Sequence, residues 1–171
     1  MSSPGSRAVT PPPDPGLLSL YDEALPQVYG YLLARCGQRV LAEDLTAETF
    51  LAAVDADGAV SVAWLIGTAR HKLVDHWRRR EREERSLRLV EGDGGVDDPW
   101  DVQLDALRAQ QVLDGLSVQH RAVLTLRYLD DLAVPRVAAL LGRTVHATEA
   151  LLVRARSAFR RLYVTTGGSD D

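Results

Sequence analysis

The chain is poor in the residues that build covalent or redox chemistry. Its 171 residues include one cysteine, one methionine and two phenylalanines. With Cys36 alone no intramolecular disulfide can form, which suits a reducing compartment. No apolar run approaches the roughly 20 residues that span a bilayer. The opening MSSPGSRAVTPPPDPG also lacks the apolar centre of a secretory signal. A cytoplasmic protein without membrane insertion is the expectation. The glycines of EGDGG come without the lysine and following helix that a phosphate loop requires. Cys36, His71 and His76 do not form a metal set, because two histidines five apart diverge on a helix. Asp114, Ser117 and His120 are close in sequence but straddle a helix start, and nothing supplies an oxyanion hole. No catalytic residue, metal or cofactor is therefore expected, and the chain does not read as an enzyme.

What is present is a globular composition, 46% hydrophobic and 26% charged, enough to bury a core in one domain or two small ones. The net charge of -4 argues against a polyanionic partner only on average. Glu91, Asp93, Asp97, Asp98 and Asp101 cluster without a lysine or arginine among them, while residues 64–88 and 143–161 are each net basic. Two positive faces separated by an acidic connector fit a polyanion better than the average does.

Periodicity reads as helix almost throughout. A first helix is expected over 17–24 and a second from near Pro26 to residue 35, with a stop at Gly37. A third covers about 40–53, leaving Glu43, Asp44, Thr46 and Glu48 outward. Residues 55–60 form a loop, and Ser61 caps a long helix. The VEGDGGVDDPW run that follows marks a flexible linker and a domain boundary. Beyond it, Leu104, Leu107, Val112, Leu113 and Leu116 form a stripe. Ser117 then caps a helix carrying Val123, Leu124, Leu126 and Leu129, which ends near Asp130 and Asp131.

Two segments carry chemistry. In AWLIGTARHKLVDHWRRR, residues Trp64, Leu65, Ala69, Leu73, Val74 and Trp77 recur at steps of three and four, a core-facing stripe. Arg70, Lys72, Arg78, Arg79 and Arg80 occupy the remaining arc, where guanidinium groups can pair with phosphates. Planar rings among such charges can stack on unpaired bases. The second segment runs from Val134 to Leu141, turns at Gly142 and Arg143, and restarts at the Thr144 cap of a helix reaching about Tyr163. Two helices around a short glycine turn make a helix-turn-helix, whose second helix enters the major groove. Ala138, Leu141, Val145, Leu151, Leu152, Ala155 and Phe159 would form its core, with His146, Glu149, Ala150, Val153, Arg154 and Arg156 on or near the open face.

Taken in order, VYGYLLARCG, AEDLTAETFLAAV, AWLIGTARHKLVDHWRRR and LSVQHRAVLTLRYLDDLAVPRVAALLGRTVHATEALLVRAR resemble the extracytoplasmic-function group of bacterial sigma factors, over about residues 20–162. The resemblance implies an all-α chain of two small helical domains. These are sigma region 2 over 17–89 and sigma region 4 over 101–164, joined by a flexible acidic linker at 90–100 and flanked by a disordered leader, 1–16, and tail, 165–171. It implies a monomer when free that binds core RNA polymerase and promoter DNA and directs transcription initiation, and that takes an anti-sigma factor as a partner common in the group.

By the same resemblance Asp44, Leu45, Glu48 and Phe50 contact the polymerase, with Leu45 or Phe50 alternatively completing the local core. Residues 55–60, with Asp57, would capture a flipped base of the minus-ten element. His71, His76, Trp77, Arg78 and Arg79 would engage minus-ten DNA, with Trp64 assigned to the core. Arg143, Thr144, His146, Glu149, Ala150, Val153, Arg154 and Arg156 would serve the minus-thirty-five element. His71 stands where relatives often carry asparagine, and Glu149, Ala150 and Leu151 stand where they commonly place basic or hydroxyl residues, so the preferred promoter sequence is open. Glutamate is repelled by phosphate but can accept from cytosine N4. The competing reading is a two-domain helix-turn-helix regulator that does not act as a sigma factor.

Overall fold

In the computed structural model, which describes residues 15–87 and 105–168, every regular element among the described residues is helical. Helix α1 spans Pro15–Cys36, α2 Arg39–Val54 and α3 Val62–Leu87. The expected break at Pro26 is absent, and α1 runs through it. Proline leaves the carbonyl four residues back without its helical donor, but Pro26 lies on the exposed side, where water can serve that carbonyl. Burial of Ala24, Val28 and Leu32 on the opposite side holds the two halves in line.

Helix α1 stops where the left-handed Gly37, φ +66°, donates its N–H to the Leu33 carbonyl at 2.9 Å. Only glycine adopts this conformation without a Cβ penalty. In α2, Thr49 is buried and so is Thr46, which was expected to face outward; each hydroxyl donates to the carbonyl four residues back, Leu45 and Ala42 respectively, so neither needs solvent. Their polar atoms are thereby satisfied inside the helix itself. Ser61 caps α3 as expected, its Oγ accepting from the Trp64 N–H at 3.1 Å. Helices α1, α2 and α3 pack on one another around Leu32, Leu45, Leu65 and Leu73.

The second unit comprises α4 (Ala106–Gly115), α5 (Val118–Leu124), α6 (Val134–Leu141) and α7 (Val145–Gly167). Asp105, Ser117 and Thr144 supply side-chain caps to α4, α5 and α7. Helix α5 widens into a π-helical turn over Thr125–Leu129, where the Asp130 N–H reaches back to the Thr125 carbonyl at 3.1 Å. Helix α7 forms the spine of the unit, packing against α4, α5 and α6 through Leu151, Leu152, Ala155 and Phe159. It continues past Tyr163 to Gly167, so residues 165–167, expected within a disordered tail, are helical, as Pro15 and Gly16 of the expected leader are in α1.

Three expected core positions of the second unit are exposed. Leu107 sits five and six residues before Val112 and Leu113, about a third of a turn or more off each at 3.6 residues per turn. Leu129 lies at the end of the π turn, which shifts the following side chains away from the α-helical register. Val145 is the first residue of α7, beyond the edge of the core. Leu104 and the linker lie outside the described residues.

The two units touch. Helix α3 crosses to pack on α5 and α6, so the longest helix of the first unit is also its contact with the second. Phe159, buried and stacked on Tyr163 with ring centroids 5.8 Å apart, anchors the second core. Phe159→Ala should lower unfolding free energy by about 3–5 kcal/mol. Urea denaturation checks this, and a loss below about 1 kcal/mol would show that α7 is held chiefly by other contacts.

Candidate nucleic-acid interface

Helix α2 presents one acidic edge. Asp44 and Glu48, four residues apart and one turn along the same face, are both exposed. Leu45 is 2% exposed, which corrects its assignment as a direct contact and leaves it bracing α2 from within. Phe50 is half-buried and meets Tyr21 edge-on at 4.7 Å. The pair borders a cleft of about 430 Å³ between α1 and α2, lined also by Leu25, Tyr29, Thr46 and Ala47. Carboxylates beside an apolar cleft suit a protein partner with both basic and apolar groups.

Helix α3 separates its functions by face. Leu65, Ala69, Leu73, Val74 and Trp77 are buried, as the stripe predicts. Trp77 is therefore unavailable for stacking on bases in this structure, which corrects its place among the DNA-contacting residues. Its position eight residues after Ala69 and four after Leu73 keeps its indole on the apolar side. Trp64 behaves in the opposite way. In the first turn of α3, one residue away from the stripe's buried centre at Leu65, it is 36% exposed. It also stands beside the 55–60 loop, in which Asp57 is exposed. His71, Arg78 and Arg79 are exposed as well, and His76 is half-buried.

On the helix-turn-helix, Gly142 takes φ +64° and the Arg143 N–H bonds the Ala138 carbonyl at 2.9 Å. This left-handed cap ends α6 and sets the angle at which α7 departs. Thr144, His146, Glu149 and Arg154 are exposed, while Ala150, Val153 and Arg156 are half-buried. Arg156 also donates to the Tyr128 hydroxyl at 2.9 Å. Arg143 is half-buried and paired with Glu81 of α3, and its guanidinium reaches Gln119 at 3.3 Å. A Cβ added at Gly142 would lie 2.9 Å from Arg78 Nη2, so the Arg78 guanidinium rests over the turn. One cation from each expected DNA surface is thus engaged where the two units meet.

A second polar group at this junction went unnoticed in the sequence. Asp130 accepts from the Tyr31 hydroxyl at 2.7 Å, from Arg35 Nε at 2.6 Å and from Arg70 Nε at 3.0 Å. Its side chain is 1% exposed. Arg35 also lies over the Tyr31 ring, 3.7 Å from the centroid. Burial, and then the hydrogen bond to Asp130, push the Tyr31 phenol up to about 12, so it remains a donor throughout the physiological range. Arg70 was legible as a cation of the long helix; its partner ninety-nine residues beyond Tyr31 was not.

An acidic helix face, a long helix with a cationic arc and a helix-turn-helix make this a two-unit protein, helical in every regular element of its described residues. Family models for sigma-70 region 2 and sigma-70 region 4 match residues 20–83 and 106–159. The chain is 32% identical over 154 residues to the ECF RNA polymerase sigma factor BldN of Streptomyces coelicolor, covering 84% of this chain but only 58% of that relative's length. It is 31% identical to the ECF RNA polymerase sigma factor SigL of Mycobacterium tuberculosis, over 72% of this chain and 75% of SigL. Among solved structures, the sigma factor RpoE in complex with the anti-sigma factor NepR from Bartonella quintana superposes with a TM-score of 0.52 at 20% identity, over 91% of this chain and 99% of that one, a likeness of fold. The chain belongs to the extracytoplasmic-function group of the sigma-70 family.

Two imidazoles couple these surfaces to acidity. Burial, then Arg79 and Arg80, hold His76 below its ordinary value of 6.5. Burial, then Arg154 and Arg161, do the same for His120. The folded chain then binds fewer protons than the unfolded one, so stability rises with pH across this window. The contribution is present above pH 6.5 and is lost as pH falls through the lowered folded values. Urea midpoints between neutral and mildly acidic pH should drop in the native protein and drop less in the His76→Gln/His120→Gln variant. Equal slopes would refute the assignment. The two tryptophans should also separate: Trp77→Ala costs about 3–5 kcal/mol of stability, whereas Trp64→Ala leaves the fold largely intact and weakens binding to single-stranded DNA, read by thermal melting and fluorescence anisotropy.

Proposed function

We propose that this chain is an alternative sigma factor. It binds core RNA polymerase, recognises a promoter through its two helical units and helps open the DNA at the upstream edge of the bubble. The observation that carries the proposal is the match of region 2 and region 4 models, in the family's order, to two helical units with exposed acidic and cationic surfaces. Asp44 and Glu48 offer carboxylates to basic residues of the polymerase, and the neighbouring Phe50 cleft receives apolar ones. His71, Arg78, Arg79 and the 55–60 loop serve the minus-ten element, with Trp64 taking the stacking role that Trp77 cannot. Thr144, His146, Glu149 and Arg154 lie on the exposed side of the helix-turn-helix and serve the minus-thirty-five element.

Melting in this scheme is driven by binding energy. Capture of unstacked bases, at about 1–3 kcal/mol per stacked base, offsets the cost of unpairing without nucleotide hydrolysis. Catalysis belongs to the polymerase, and the chain acts in the cytoplasm, where that enzyme works. Among the described residues no helix is long and apolar enough to cross a membrane. An anti-sigma factor is the regulatory partner that this reading carries, as with the solved relative bound to NepR.

In vitro transcription with core polymerase on pooled genomic promoter fragments tests the reading. New transcript starts sharing two upstream elements are expected, and they should disappear with Asp44→Arg/Glu48→Arg while the helical content stays unchanged. Folded protein that yields no new starts, but binds duplex operators tightly without polymerase, would establish the regulator reading instead.

A further inference from the structure

The side chains around Asp130 form a socket made by the first unit alone. Tyr31 and Arg35 lie one turn apart on α1, and Arg70 reaches in from α3, with its Nε 3.3 Å from the Tyr31 hydroxyl. The socket offers two guanidinium groups and the Tyr31 hydroxyl as donors. Such a donor set suits one negative charge spread over two terminal oxygens. A carboxylate has that form, and so does the phosphodiester of a nucleic-acid backbone. Arg70 is adjacent to His71 on the helix assigned to minus-ten DNA, and eleven residues, three turns, from Glu81 on the same face. Along that face the second unit covers Arg70 with Asp130, pairs Glu81 with Arg143 and sets the Gly142 turn against Arg78.

We propose that the Tyr31–Arg35–Arg70 socket is a binding site for a DNA backbone phosphate, and that Asp130 occupies it as an internal surrogate while the two units are docked. The docked chain withholds this cationic site from DNA. Release of region 4 exposes the socket at the moment the helix-turn-helix is freed to reach its own element. The π turn is the local device that delivers the carboxylate. Asp130 caps it, and the next residue, Asp131, takes a left-handed φ of 52° that turns the chain away toward α6. With its side chain 1% exposed, Asp130 excludes any second anion, so occupancy by Asp130 and by phosphate is mutually exclusive.

This inference rests on the proposed role of α3 in DNA binding, and its test separates the two. The full chain is titrated into a short fluorescein-labelled single-stranded oligodeoxynucleotide of mixed sequence across a salt series, with compactness followed by small-angle scattering. Asp130→Asn should expand the chain, raise affinity several-fold at low salt and steepen the logarithmic salt dependence by about 0.7, the increment for one phosphate on a single strand. Adding Arg35→Gln and Arg70→Gln should abolish the gain while leaving the chain expanded.

Expansion without a gain in affinity would overturn the phosphate site, and a chain that stays compact would overturn the surrogate role of Asp130. Should Asp130→Asn fail to fold, Glu81→Gln loosens the same junction at a separate contact. It must also raise DNA affinity in a manner that Arg35→Gln/Arg70→Gln abolishes, and absence of that gain would overturn the site. Native protein that supports polymerase-dependent transcription while Asp130→Asn shows no gain refutes this inference alone. Native protein inactive with polymerase refutes the sigma reading itself.

Discussion

A buried carboxylate has to be matched, and the arrangement of the two helical units follows from how Asp130 is matched. Removing a carboxylate from water costs several kcal/mol unless opposite charge and hydrogen bonds replace the lost hydration. Asp130 finds that replacement on α1 and α3, through Arg35, Arg70 and Tyr31. Among the described residues, its side-chain partners all come from the other unit. The charge therefore draws the units together, and a second ion pair, Glu81 with Arg143, fixes their rotation about the first. Buried ion pairs are weak sources of net stability but strong sources of specificity, because a misplaced partner leaves a charge unpaired.

Helix α3 bears most of the consequences. One side supplies the stripe from Leu65 to Trp77 that closes the first core, and another carries Arg70 and Glu81 to the second unit. His71 and Arg79 remain on the exposed surface. A single helix of 26 residues thus serves packing, docking and DNA at once. The division is possible because helical side chains repeat every 3.6 residues, so a few positions along the chain place neighbours on different faces.

Capping and periodicity were legible residue by residue. Ser61, Ser117 and Thr144 were readable as helix starts because hydroxyls that satisfy the first free N–H groups leave a local signature. Gly142 was readable as a turn because a left-handed residue at a helix end is usually glycine. Local rules failed where the outcome depended on what lay opposite. Pro26 marked a helix end by propensity, yet packing on the buried side carried α1 through it. Leu129 fitted an α-helical stripe until the π turn shifted its register. Trp77 and Trp64 were equivalent as composition, and only their neighbours decided which indole was enclosed.

The sequence by itself determined the all-helical class, the two basic segments, the caps, the core stripe of α3 and the four family motifs, because each is written in spacings of a few residues. Tertiary structure alone decided which cations are engaged where the two units meet. Arg78 and Arg79 are adjacent in the chain, but Arg78 rests over the Gly142 turn. Arg70 and Arg143 belong to segments that read equally as phosphate contacts, and both are held by carboxylates distant in sequence, at Asp130 and Glu81. The physical reason is that charge acts through space over a few ångströms, whereas sequence spacing reports only the periodicity of the backbone that carries it.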